Sequence, residues 1–105
     1  MKLPKKIQVG PLTYQVKRGP LADWALGENF GTCAPQRTEI LLASGVSGDF
    51  EIETLLHEIA HAINDIAGVG QWLDTDQEER LVRSISPYWL MVLRDNPKLV
   101  EAITR

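Results

Sequence analysis

Thr54-Leu55-Leu56-His57-Glu58-Ile59-Ala60-His61-Ala62-Ile63 is the stretch on which the fold turns, because it reads at once as a helix and as a site. Four residues make about one helical turn, so His57 and His61 project from the same face and can grip one metal ion. Glu58 follows the first histidine, where its carboxylate can take a proton from a metal-activated water. These are the only two histidines in the chain. A histidine pair also occurs as a surface feature or as a satisfied part of a core, but the helix phase favours the metal reading. The helix is expected from about Glu51 to Ala67, with Ser47 or Asp49 as N-cap and Gly68 in the left-handed C′ position. Ile52, Leu55, Leu56, Ile59, Ala60, Ile63 and Ile66 form its apolar stripe, and the two histidines lie beside that stripe. Asp49, Glu51 and Glu53 suit the positive end of the helix dipole.

A catalytic zinc site takes three protein ligands and leaves a fourth position for water. The candidates for the third ligand are Asp65, Asp74, Asp76, Glu78 and Glu79. Asp65 lies too far along the same straight helix, which makes it a supporting or solvated residue. A second helix is predicted to begin near Asp76, with Thr75 as N-cap and Glu78 at N3 of a capping box. That reading occupies Glu78 and leaves Glu79 to turn inward as the ligand. Glu79 lies on the flank of an apolar face made by Val82, Ile85, Trp89 and Val92.

The remaining elements follow from turn chemistry and alternation. Lys6 to Val9 and Thr13 to Lys17 read as two strands around a Gly10-Pro11 turn. Leu21 to Asn29 is ambiguous between a helical turn and a loop, and Gly31 to Ala34 reads as a short strand. Thr38 to Ala43 is the best strand. Gly68 to Asp74 joins the two helices, with Trp72 and Leu73 expected against the core. Asn96 is expected to cap a last short helix with Pro97 at N1. The fold class is α+β: a three- to four-stranded sheet on the metal-binding helix, then a second long helix and a short C-terminal one. Residues 1–105 form a single domain on this reading, a monomer of ordinary hydrophobic content at 44%.

Charge and cysteine usage narrow the setting. The net charge is −3. Lys2, Lys5, Lys6, Lys17 and Arg18 make a basic start, whereas the stretch from Thr38 to Glu79 carries acids and neither lysine nor arginine. Such a field attracts a divalent cation and repels a polyanion, which disfavours nucleic acid as a partner. No apolar run is long enough to span a membrane, and the amino terminus has no signal-type apolar region, so a cytoplasmic location is expected. One cysteine, Cys33, excludes an intrachain disulfide. It reads as a small buried hydrophobe, with a role as a masking fourth ligand as the alternative.

The motif and its surroundings resemble the gluzincin class of zinc metallopeptidases, and more closely small bacteriophage and prophage proteins of metallopeptidase type. The phrases carrying the likeness are Thr54 to Ile63 and Val92-Leu93-Arg94-Asp95-Asn96-Pro97, within roughly residues 37 to 100. The layout is also similar to ImmA/IrrE-type peptidase domains, which implies a bacterial cell or a phage-infected one. The resemblance implies one Zn²⁺ per chain, a glutamate on the following helix as third ligand, and a peptide or protein substrate. The chain departs from it at Ser86-Pro87, where such helices carry good helix formers. Pro87 removes the backbone bond to Arg83 and is expected to kink or split the helix. The strand before the metal helix borders the cleft in such layouts. Thr38 to Ala43 is therefore either a docking edge for an extended substrate or an inner strand with no free edge.

The expected function is zinc-dependent hydrolysis of a peptide bond, with His57, His61 and Glu79 on the metal and Glu58 as general base. No third histidine is present to steady the oxyanion, so Tyr88, Tyr14 or an arginine must do so, or zinc alone. The alternatives are a zinc-containing regulatory or binding module without proteolytic activity, and a non-metal interaction domain in which the motif is coincidental.

Overall fold

The computed structural model describes residues 3–20, 30–46 and 48–105. Four strands form one mixed sheet: β1 (Lys6–Val9), β2 (Leu12–Gly19), β3 (Gly31–Ala34) and β4 (Glu39–Ala43). Three α-helices among the described residues follow, α1 (Gly48–Ala67), α2 (Thr75–Asp95) and α3 (Pro97–Ile103). The α+β class and its predicted order of elements are therefore observed. The ambiguous Leu21 to Asn29 stretch and the Ser47 cap lie outside the described residues.

Strands β1 and β2 make a hairpin closed by the Val9–Leu12 pair, with Gly10 at φ 56° in the first turn position. A positive φ there is what glycine supplies without steric cost. β2 then pairs in parallel with β4, and β4 pairs antiparallel with β3, giving the order β1-β2-β4-β3. β4 is thus paired on both sides and offers no free edge. The outer strand on that flank is β3. Thr38 was expected to open β4, but it sits before the strand at φ 49°, closing a short 3-10 turn at Pro35–Arg37.

Alternation along the strands places one apolar face against α1. Tyr14 and Val16 of β2 and Ile40 and Leu42 of β4 are buried, together with Val9, Leu55 and Ala62. On α1 the buried line is Glu51, Leu55, Glu58 and Ala62. That line is rotated from the predicted stripe, and Ile63 and Ile66 are exposed. Glu51 is buried because Arg18 of β2 meets it, with Nε at 2.9 Å from one carboxylate oxygen and Nη2 at 2.6 Å from the other. A two-pronged guanidinium contact of this kind holds strand and helix in a fixed orientation.

The boundaries of α1 differ from expectation in one respect: Asp49 lies inside the first turn instead of capping it. Gly68 does take the left-handed conformation, at φ 73°. Trp72 is not tucked against the core but is 69% exposed, and Val69 fills the connection instead. α2 runs through Pro87 without being split. Of its predicted apolar face only Val82 is buried; Ile85, Trp89 and Val92 are exposed, and Ser86 takes the second buried position. Asn96 stands before Pro97 as expected, yet its side chain donates back to the Val92 carbonyl at 2.8 Å and does not cap α3. No helix of the described residues is long and apolar enough to cross a membrane.

β3 approaches α1 so closely that its first residue has no room for a side chain. A Cβ on Gly31 would stand 2.7 Å from Thr54 Cγ2 and 3.2 Å from both the Leu41 carbonyl oxygen and Leu42 Cδ2. Gly31→Ala is expected to destabilise the protein by about 1–3 kcal/mol through overpacking. Adding Thr54→Ser, which removes the nearest methyl and keeps the hydroxyl, should recover part of that loss. Urea unfolding of the single and double variants checks it. An unchanged midpoint for Gly31→Ala would mean that the strand and helix do not pack this closely.

Candidate metal centre

α1 and α2 lie antiparallel. Arg94 near the end of α2 reaches Asp49 at the start of α1, at 3.0 Å, while Glu78 and Glu79 in the first turns of α2 meet His61 and His57. The phase of α2 decides which acid touches which ring. Asp74 caps the helix by accepting from the Gln77 amide at 2.7 Å, and the Gln77 side chain accepts from the Asp74 amide at 3.0 Å. The capping box is therefore Asp74–Gln77, one residue earlier than the predicted Thr75–Glu78 pair. Asp is at least as good an N-cap as Thr, and Gln serves at N3 as well as Glu, so the sequence allowed both phases. The observed one frees Glu78 from capping.

Freed in this way, both glutamates enter the site. Glu79 Oε1 is 2.9 Å from His57 Nε2, and its Oε2 is 2.8 Å from His61 Nε2. The two Nε2 atoms are 3.3 Å apart. Glu78 Oε2 stands 2.5 Å from the other ring nitrogen of His61, Nδ1. A carboxylate on Nδ1 holds the ring in place and leaves Nε2 to present its lone pair. Glu58 completes the cluster, since one ligand-type atom from each of His57, Glu58 and His61 lies within 4.8 Å of the others.

Among the other third-ligand candidates, Asp74 is the cap, Asp76 is exposed in the first turn of α2, and Asp65 is exposed on the rim of the cavity. Tyr88 is 66% exposed and Tyr14 is fully buried in the core. Arg83, one turn after Glu79, is the arginine that reaches the cluster, with Nη2 at 3.4 Å from Glu79 Oε1. Sequence reasoning named an arginine only generically; the i, i+4 spacing from Glu79 was the signal that singles it out.

The cluster lies on the wall of a cavity of about 660 Å³, bordered on one side by Gly31, Thr32 and Cys33 of the outer strand β3. A smaller hollow of about 210 Å³ adjoins it, walled by Phe30, Phe50 and Pro87. The rings of Phe30 and Phe50 meet edge to face at 4.9 Å. His57, Glu58, Glu79 and Arg83 line both spaces, so the cluster sits where the two meet.

Burial sets the protonation states. Glu58 is 6% exposed, and burial pushes its carboxyl up to about 7, with the Glu79 charge adding to the rise and His61 opposing it. Burial lowers His57, outweighing the pull of Glu79 in the other direction, so its ring favours the neutral, ligating form. Burial alone would raise Glu79, but His57, His61 and Arg83 together hold it below the usual carboxylate range. Cys33 is pushed up to about 12 by burial and by the neighbouring Glu58, Asp65 and Glu78. It remains a thiol beside the Tyr14 hydroxyl, which is itself buried without a well-formed hydrogen bond. Cys33 is half-buried and borders the cavity.

The raised carboxyl of Glu58 has a thermodynamic consequence. The folded protein holds this proton more tightly than the unfolded chain. The stability it contributes is therefore present at low pH and falls as pH rises from the ordinary 4.5 to about 7. Glu58→Gln mimics the protonated acid. In metal-free protein it should exceed the wild type by less than about 1 kcal/mol near pH 5 and by about 3 kcal/mol near pH 8. Denaturant melts at the two pH values measure the difference; a gap that does not change with pH would sink the assignment.

No protein family matches the chain, and no curated protein or solved structure does either, so the geometry of the site carries its interpretation.

Proposed function

We propose that the chain is a zinc-dependent hydrolase of peptide bonds, in which His57, His61 and Glu79 hold the metal and Glu58 is the general base. The observation that carries this reading is the convergence of His57 Nε2, His61 Nε2 and the Glu79 carboxylate at 2.8–3.3 Å from one another. With Zn–N near 2.0–2.1 Å, the edge of a tetrahedral site is roughly 3.3 Å. The two Nε2 atoms stand at 3.3 Å, and the Glu79 oxygens, at 2.9 and 2.8 Å from them, need move apart by only about half an ångström to share an ion.

Lone-pair accounting supports a cation at this point. If Glu78 accepts a proton from Nδ1 of His61, Nε2 of that ring has only a lone pair to offer. It then faces a carboxylate and a second imidazole nitrogen, and such a meeting of acceptors is stable only around a shared positive charge. A proton can supply that charge, and so can a metal ion.

Zinc bound here would act as a Lewis acid, lowering the pKa of water and polarising a carbonyl. The protein supplies the rest. Glu58, poised near neutrality, takes the proton of the attacking water and passes it to the nitrogen of the departing amine. Glu78 orients His61. The cavity beside β3 offers room for an extended chain along an outer strand, which supports a peptide as substrate. A buried carboxyl without an ion-pair partner among the described residues has no use in a purely structural zinc site, which weighs against a binding module without activity.

Zinc titration followed by elemental analysis tests the metal. About one Zn²⁺ per chain is expected, lost in His57→Ala, His61→Ala and Glu79→Ala. Glu78→Ala should retain zinc with affinity lowered about 10- to 100-fold, the usual effect of removing an orienting partner. Failure to take up zinc would overturn the proposal. So would retention of tight zinc in Glu79→Ala with loss in Glu78→Ala, as regards the ligand set.

Catalysis is tested separately on a peptide library. Glu58→Gln should keep its zinc and lose hydrolysis by a factor of about 100 or more. A zinc-loaded wild type that cleaves nothing would favour the regulatory or binding module instead.

A further inference from the structure

We infer that Arg83 is the group that stabilises the oxyanion formed during peptide hydrolysis, an inference that rests on the reading of the site given above. Hydrolysis begins when water oxygen adds to the scissile carbonyl carbon. The π pair moves onto the carbonyl oxygen, and the proton from water goes to Glu58. The oxygen that becomes negative needs a donor in place before the charge develops.

The surroundings make that need acute. The larger cavity is lined by four acidic residues, Glu58, Asp65, Glu78 and Glu79; Glu58 is neutral once it holds the water proton, and a developing anion would face the other three. Arg83 is the one lysine or arginine among the described residues that lines this cavity, and it lines the smaller one as well. The tyrosines do not compete for the role: Tyr14 is enclosed in the core and Tyr88 borders neither space.

Distance separates this role from capture of a terminal carboxylate, which would lie further along the substrate. Arg83 Nη2 is 3.4 Å from Glu79 Oε1, and that oxygen is 2.9 Å from His57 Nε2. The guanidinium is therefore two contacts from the ring nitrogens at the reacting centre, within reach of a carbonyl placed there. It is also easily recruited. Its side chain is 73% exposed, and its pairing with Glu79 is an i, i+4 surface contact, a weak kind of interaction that a fuller negative charge can displace.

The test uses zinc-loaded full-length protein and two probes of the same peptide sequence. One carries a phosphonate in place of the scissile amide, a tetrahedral anion; the other carries an uncharged reduced amide. Arg83→Met should weaken the phosphonate by at least about 10-fold, with little change for the reduced amide and for zinc affinity. Arg83→Lys should recover part of the loss, because the charge returns without the planar fork. A melting curve confirms that the variants fold.

If zinc affinity falls in step with phosphonate affinity, Arg83 acts by steadying Glu79 and the inference is overturned. It is overturned equally if Arg83→Met binds the phosphonate as the wild type does in a zinc-dependent manner. In that case the metal centre stands and only the arginine's role is lost. A wild type that takes up no zinc, or binds the phosphonate equally well without zinc, removes both proposals together.

Discussion

The register of α2 against α1 determines what meets at the cavity. A helix turns about 100° per residue, so a slip of one position would put Glu78 where Glu79 stands and Gln77 where Glu78 stands, or Glu79 in the place of Glu78 and Arg80 in its own. Two features near the Gly68 turn fix the phase. Gly68 ends α1 in a left-handed conformation, and Asp74 and Gln77 close the first turn of α2 on each other. At the far end Arg94 reaches Asp49, but Asp49 is 83% exposed, and such a pair contributes little. Val82 and Ser86 are the buried residues of α2, so packing along the middle of the helix and capping at its start hold the register.

Two carboxyl groups on the buried line of α1 show how the same residue type does different work. Glu51 and Glu58 are seven residues apart, two turns on one face, and both are almost inaccessible. Glu51 meets the Arg18 guanidinium, which compensates its charge and ties β2 to the helix. Glu58 meets no such cation among the described residues, and burial raises it to about 7 instead. A buried acid without a cationic partner can change its charge near neutral pH, which is what a proton-transfer group needs.

Much of this was legible from local chemistry. The bounds of β1 and β3, the Gly10 turn, the Gly68 C-cap and the two-histidine face depend on short-range rules, and they appear as those rules predict. The readings that failed depended on tertiary context. Asp74 and Thr75 are both good caps, and propensity alone did not choose between them. Trp72 is apolar but falls in a connection where Val69 reaches the interior first. Pro87 costs α2 a backbone bond, yet the helix is anchored just before it by Val82 and Ser86 and continues to Asp95. Ile63, Ile85 and Trp89 follow helical periodicity, but periodicity gives a face without saying whether anything covers it. The free edge of the sheet was likewise hidden, because strand order is a long-range property: β4 reads as the best strand because it is the inner one.

The roles of Glu78 and Glu79 follow from the two nitrogens of a single ring. Consecutive residues on a helix point in different directions, and here they bracket His61, Glu78 at Nδ1 and Glu79 at Nε2. A ring met at both nitrogens by acids has its orientation fixed. His57 needs less help, since its Nε2 already faces the same Glu79 carboxylate. One capped helix start thus orients one histidine from behind and closes the front of both. The second glutamate is no redundant copy of the first. An acid at position 79 alone would leave Nδ1 of His61 without this carboxylate, and an acid at position 78 alone would leave the two Nε2 atoms without the carboxylate that spans them.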